Sequence, residues 1–257
     1  MNYLAIDAST EACSVALQYI RKDTTKSTGT DAETSTEQTI FTRYEICPQS
    51  HSLRLLPMID EVLKEANCKL SELDGLIYGR GPGSFTGVRI GIGVAQGLAF
   101  AADLPVVGVS TLQAMAQLAY TQYQQTQVIA AIDARMSEIY TAYYTLEEAT
   151  KLMQLVLPEQ VLAPDVAVAY YKEQLASDIN SSIINAYGVG TGWDAYQTAL
   201  SVLKNNGNSP DILFPDAEVM LTLGQAAFAN GEGVSAEQAQ PVYVRDTVSW
   251  KKLPGRE

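Results

Sequence analysis

A short pattern occurs twice in this 257-residue chain. Aligning residues 4–18 with residues 130–144 matches Ala5 with Ala131, Ile6 with Ile132, Asp7 with Asp133, Ala8 with Ala134 and Ala16 with Ala142. Each segment reads as an apolar strand ending on an aspartate, then a turn and a second strand. Each is followed by further extended chain, Thr39–Ile46 in the first copy and KLMQLVL in the second. Repetition of a supersecondary unit at this scale predicts a duplicated fold.

The intervening segments fit that frame. Apolar residues at Leu53, Leu56, Ile59, Val62, Leu63 and Ala66 recur at helical spacing, with Pro57 marking a first turn or a kink. Residues 75–81 read as a short buried strand, 84–102 as a helix, 104–110 as another strand and TLQAMAQLAYTQY as a helix. A strand over 183–188 and helices near 192–204 and 217–230 complete a second half. The pattern predicts two related α/β lobes with a cleft between them. The first lobe is expected over residues 1–105, with the 217–230 helix packing back on it, and the second over 106–214. An extended basic tail is expected over 240–257. The Thr/Ser-rich stretch 21–38 cannot bury a core and reads as a flexible, dispensable insertion.

Charge narrows the function. The formal net charge of −12 repels polyanions, so tight nucleic-acid binding by this chain alone is not expected. Arg245, Lys251, Lys252 and Arg256 form one basic cluster, either a solvated tail or a dock. No run of about 20 apolar residues suggests a membrane span, and MNYLAIDAST has no basic leader or long apolar core. Cys13, Cys47 and Cys68 form no CxxC pair, which suits a reducing cytoplasm, and they read as small buried apolar residues.

Candidate chemistry is sparse. Gly79-Arg80-Gly81-Pro82-Gly83-Ser84-Phe85-Thr86-Gly87 joins a strand to a helix, where phosphate loops lie. It lacks the GK[ST] ending of a P-loop, and Thr86 stands where GxGxxG needs its last glycine. Two readings stay open: a tight turn with Ser84 capping the helix, or an anion or nucleotide loop using Asp7, Gly81, Gly83, Ser84 and Thr86. Asp7 and Asp133 are placed to cap a turn or to hold a metal–phosphate ion. In the helix, Gly87, Gly91 and Ala95 recur at i, i+4, as do Gly93 and Gly97. Small residues at that spacing allow another helix to approach closely, in the same lobe or in a partner. His51 is the only histidine, so a Ser–His or Cys–His device would have to use it. No metal-ligand spacing is evident from the sequence.

The segments LAIDASTEACSVAL, HSLRLLPMIDEVL, GRGPGSFTGVRIGIGVAQGLAF, LPVVGVSTLQAMA, IDARMSEIYTAYY and PVYVRDTVSWKKLPGRE resemble the TsaB family, also called YeaZ. The resemblance runs nearly end to end, with the 21–38 insertion longer than is usual. It implies a two-lobed actin-like (ASKHA, ribonuclease H-like) fold with a duplicated βββαβα unit. It also implies a non-catalytic subunit that binds TsaD, the enzyme placing threonylcarbamoyl on the tRNA adenosine next to the anticodon. TsaE is the further partner, and tRNA is met only through the complex. TsaD carries a metal in an HxxxH pair whose places align with Thr111 and Met115 here. No catalytic residue, metal or cofactor is therefore expected in this chain alone, with ATP and a metal entering through TsaD and TsaE. The implied partner face, used for TsaD and for a competing homodimer, is Leu53, Leu56, Ile59 and Leu63 with Gly87, Gly91 and Ala95. The contrasting readings are a nucleotide-dependent phosphotransferase of the ASKHA class and an endopeptidase acting on TsaD.

Overall fold

The computed structural model describes residues 1–22, 36–175, 186–203 and 212–245. Most of the insertion, the start of the strand expected at 183–188, and Lys251, Lys252 and Arg256 lie outside the described residues. The first lobe is a five-stranded sheet of order β3-β2-β1-β4-β5. Its strands are β1 (Tyr3–Asp7), β2 (Ala12–Lys22), β3 (Thr36–Ile46), β4 (Gly75–Gly79) and β5 (Val106–Val109). β1 pairs antiparallel with β2 and parallel with β4. β2 and β3 extend further than expected: their pairing continues to Lys22 opposite Thr36, so both ends of the presumed loop are strand.

Alternation along β1 explains the layers. Leu4 and Ile6 point to one core, shared with α1 (His51–Ala66) and α2 (Phe85–Ala102). Tyr3 and Ala5 point to the opposite core, shared with α7 (Ala217–Ala229). Period-2 burial on both faces is what a central strand requires. Each fully buried Leu or Ile contributes roughly 1.5–3 kcal/mol. α7 is anchored where Phe228 stacks on Tyr3, ring centroids 5.0 Å apart.

The second lobe repeats the plan with a four-stranded sheet of order β8-β7-β6-β9. It contains β6 (Gln127–Asp133), β7 (Ile139–Glu147), β8 (Leu152–Leu162) and β9 (Tyr187–Val189). β6 pairs antiparallel with β7 and parallel with β9, as β1 does with β2 and β4. One face packs on α3 (Thr111–Tyr123), which also meets α7 of the first lobe. The other face packs on α4 (Pro164–Leu175), absent from the sequence reading, and on the short helices α5 (Gly192–Ala195) and α6 (Gln197–Leu200). The single helix expected over 192–204 is thus broken. The boundary expected at residue 105 is also displaced, because β5 hydrogen-bonds β4 and closes the first sheet.

Candidate functional site

Asp7 ends β1 and is buried at 1% exposure. Its Oδ1 accepts the Ser9 backbone N–H at 2.9 Å, and both carboxylate oxygens accept the Ser9 hydroxyl. Ser9 in turn receives the Thr111 hydroxyl at 2.9 Å. The aspartate therefore caps its turn. Burial pushes its carboxyl up to about 6, against the lowering effect of the Ser9 hydrogen bonds. Asp133 repeats the device at the end of β6: Oδ1 accepts the Arg135 N–H at 3.0 Å, and Oδ2 meets the Arg135 guanidinium. The duplicated aspartates are duplicated turn caps.

The glycine loop is folded onto that turn. Ser84 N–H donates to the Ser9 carbonyl at 2.7 Å, and Ser84 Oγ accepts from Gly87 N–H. A Cβ at Gly83 or Gly87 would collide with the carbonyl oxygen of Ser9 or Ala8. Gly81 holds φ +90, a left-handed conformation that suits glycine, and accepts the Thr111 N–H. Two of the amides an anion would need at the start of α2 are already spent inside the lobe. The arrangement favours the turn reading, and Thr86 stays exposed beyond it.

Thr111 and Met115 are buried at 1% and 0% exposure. The Thr111 hydroxyl is spent on Ser9, and Met115 packs among Leu112, Ile132 and Val189. A thioether in an apolar core and an already-donating hydroxyl do not suit the metal carried by an HxxxH pair. The two lobes are joined here by a salt bridge instead. Arg80, in the glycine loop, makes two hydrogen bonds of 3.1 and 3.2 Å to Glu159 on β8. Ser110 and Tyr144 also donate to Glu159. The sequence reading missed Glu159; its one signal is a carboxylate inside an otherwise extended, mainly apolar stretch.

Two of the seven expected partner residues are well exposed. Leu53 and Leu56 on α1 are 73% and 49% exposed. Ile59 and Leu63 turn inward to the first core, as do Ala95 and Val88. Gly91 faces Ala8, whose Cβ and N lie 3.7 Å from a glycine Cβ position, so the Gly87, Gly91 and Ala95 stripe serves its own lobe. That assignment is corrected: a helix packed on a sheet puts its smallest residues where the backbones come closest. The outward stripe of α2 carries the other pair, Gly93 and Gly97, with open space around both, and Phe100 at 72% exposure. α2 is also apolar enough, and at 18 residues long enough, to cross a membrane by composition, contrary to the expectation from sequence; its inner side forms the lobe's core.

His51 begins α1, buried, with Nε2 2.7 Å from the Thr10 carbonyl. Cys13 and Cys47 lie beside it, so the structure brings together three donor groups that the sequence reading kept apart. Burial raises the Cys13 thiol, the opposite of an activated nucleophile. Arg245, from the basic cluster, bonds Glu138 and the Ala134 carbonyl of the second lobe.

Two three-layer α/β lobes built on one repeated unit, each with an Asp-capped turn at the end of its first strand, define the actin-like, ribonuclease H-like class. The family described as TsaD, tRNA N6-adenosine threonylcarbamoyltransferase, matches residues 32–248. The tRNA threonylcarbamoyladenosine biosynthesis protein TsaB of Haemophilus influenzae is 42% identical over 263 residues, covering 100% of this chain and 99% of that protein. TsaB of Escherichia coli is 43% identical and fully covered by the match. The solved structure of YeaZ from Pseudomonas aeruginosa superposes with a TM-score of 0.75 at 40% identity, covering 94% of this chain and 99% of that one. The chain belongs to the TsaB (YeaZ) family.

Proposed function

We propose that this chain is a non-catalytic subunit of tRNA threonylcarbamoyladenosine synthesis, working in the cytoplasm by binding a TsaD enzyme and holding it in its competent form. The observation that carries the reading is the uncovered apolar face of the first lobe, with Leu53 and Leu56 on α1 and Phe100 on α2 all exposed. Isolated exposed leucines are ordinary, but three large apolar side chains left uncovered on two helices that pack against each other offer a docking surface. TsaD shares the fold, so a TsaD lobe and a second copy of this chain would compete for the face. TsaE joins the assembly, ATP and metal are supplied by the partners, and tRNA meets the complex rather than this chain. The positions aligned with the TsaD metal ligands support the non-catalytic part, since Thr111 and Met115 are committed to packing.

Reconstitution tests it. Threonylcarbamoylation of tRNA by TsaD and TsaE is expected to rise on adding this chain, while the chain alone modifies nothing. Leu53→Asp with Leu56→Asp should weaken TsaD binding by about 10-fold or more, because both sites are exposed in the free protein and covered in the complex. ATP turnover or peptide cleavage by the isolated chain, or full TsaD activity without it, would sink the reading.

A further inference from the structure

We propose that Cys13, Cys47 and His51 form a binding site for one thiophilic divalent cation, zinc being the natural candidate. The three residues come from three places in the first lobe: Cys13 from β2, Cys47 from the residue just after β3, and His51 from the first position of α1. All are buried, at 0%, 6% and 8% exposure, and one donor atom of each lies within 4.8 Å of the others. Donors on one tetrahedral zinc, at about 2.3 Å for sulfur and about 2.0–2.1 Å for nitrogen, stand roughly 3.5–3.8 Å apart. The donors need to close by about 1.0–1.3 Å at most, within the reach of side-chain rotation.

The backbone holds the ligands in place. Cys47 N–H donates to the Glu11 carbonyl at 3.0 Å, and Ser50 N–H donates to the Cys47 carbonyl at 2.9 Å. The histidine ring is fixed by the Thr10 carbonyl, 2.7 Å from Nε2. A carbonyl oxygen only accepts, so Nε2 carries the hydrogen and Nδ1 keeps the lone pair that coordinates. A carbonyl behind the far nitrogen of a ligating imidazole is the outer-shell arrangement common to metal histidines.

Charge and softness select the ion. Two thiolates and one neutral imidazole are soft and borderline ligands, which hold zinc in preference to magnesium or calcium. A divalent ion replaces two thiol protons, so the loaded site is neutral, as a buried site requires. Two protons leave to solvent, and three protein ligands leave the fourth position to water. Cys47 and His51 retain slight exposure beside the start of α1, which gives the ion its route in. This site shares no residue with Thr111 and Met115 and implies no catalytic metal. Its effect is structural: it ties the first turn of α1 to β2 and to the residue just after β3.

The test uses the full chain, reduced and stripped with chelator, titrated with cobalt and then zinc. One equivalent of cobalt should bind with a thiolate-to-metal absorption band in the near ultraviolet, and zinc should abolish the band by displacement. The melting temperature should rise by about 5–10 °C at free zinc near 100 times Kd. Cys13→Ala and Cys47→Ala should each lower zinc affinity by at least about 100-fold, beyond the about 10–100-fold of an outer-shell change. Cys68→Ala, at a buried cysteine outside the cluster, should leave stoichiometry and band unchanged. A wild-type chain that takes up no cobalt overturns the proposal whatever the variants do. So does a band lost with Cys68 alone. A Cys13–Cys47 disulfide, seen as an intact mass lower by two hydrogens with no metal uptake, makes the pair a redox couple and also overturns it.

Discussion

Asp7 shows how one buried charge sets a pH dependence. Its carboxyl titrates near 6 in the folded chain against an ordinary 3.8, mainly because burial disfavours the ionised form. The folded state therefore holds the proton more tightly than the unfolded one. The stabilisation is fully present below pH 4 and is lost as pH rises through 6, about 3 kcal/mol in all. Asp7→Asn keeps an acceptor for Ser9 N–H and removes the charge. Denaturant unfolding at pH 4.5 and at pH 7.5 should show a smaller fall in stability for the variant than for the wild type. Equal falls in both would mean that Asp7 is solvated or paired in solution. The turn-capping roles of Asp7 and Asp133 were legible because a strand-ending aspartate bonds the N–H two residues on, a purely local event. Glu159 was not legible, because its partner Arg80 stands on another lobe. The Cys13, Cys47 and His51 cluster was half legible: Cys47 and His51 are four apart, a ligand spacing that passed unread, while Cys13 arrives only through the pairing of β2 with β3.

The two helices of the first lobe illustrate how far periodicity carries. Helical spacing correctly located α1 and α2, but an apolar stripe does not say which face is inside. On α1 the buried positions are His51, Leu55, Met58, Ile59, Val62 and Ala66, so Leu53 and Leu56 fall outside the arc that the sheet covers. On α2 both small-residue stripes read alike in sequence, and the close passage of α2 over Ala8 decides between them. Two substitutions with opposite outcomes follow. Gly91→Leu forces a large side chain against Ala8 and should cost about 1–3 kcal/mol by overpacking, read as early melting. Gly93→Leu enters open space and adds helix propensity, so melting should hold or rise by up to about 1 kcal/mol in stability, while TsaD binding drops by about 10-fold through lost close approach. If Gly93→Leu binds TsaD as tightly as the wild type, the outer stripe of α2 is not a contact surface. The broken helix over α5 and α6 and the unforeseen α4 share one cause: their apolar residues answer to the second sheet and not to their own periodicity.

At the scale of the whole molecule, the repeat fixes two lobes and the contacts between them decide how they are held. α3 lies between the sheets, and residues 240–245 run along both lobes: Gln240 N–H reaches Tyr78 OH at 3.2 Å, Val242 N–H reaches the Arg80 carbonyl at 2.9 Å, and Arg245 reaches the Ala134 carbonyl at 3.2 Å. Among the described residues, two ion pairs also cross. Arg135 and Glu11 are 75% and 49% exposed at the side chain, so that pair is worth about 0–1 kcal/mol. Arg80 and Glu159 are 26% and 8% exposed, and Glu159 also takes hydrogen bonds from Ser110 and Tyr144. Removing one partner of a buried pair costs about 3–5 kcal/mol because the other is left charged and dry; with Arg80 partly in water, about 2–4 is the expected loss for Arg80→Ala. The greater part of that loss is the stranded carboxylate, not the attraction itself. Glu159→Gln on the Arg80→Ala background should therefore recover about half or more of the lost stability, since the amide oxygen still accepts from Ser110 and Tyr144 without a charge. Arg135→Ala should change stability by less than about 1 kcal/mol under the same conditions. A full cycle of Arg80→Ala, Glu159→Gln and the double variant, unfolded in urea, measures the coupling directly. Additive effects of the two changes would show that the Arg80–Glu159 pair does not hold the lobes together, and that Arg80 serves only to shape the glycine loop.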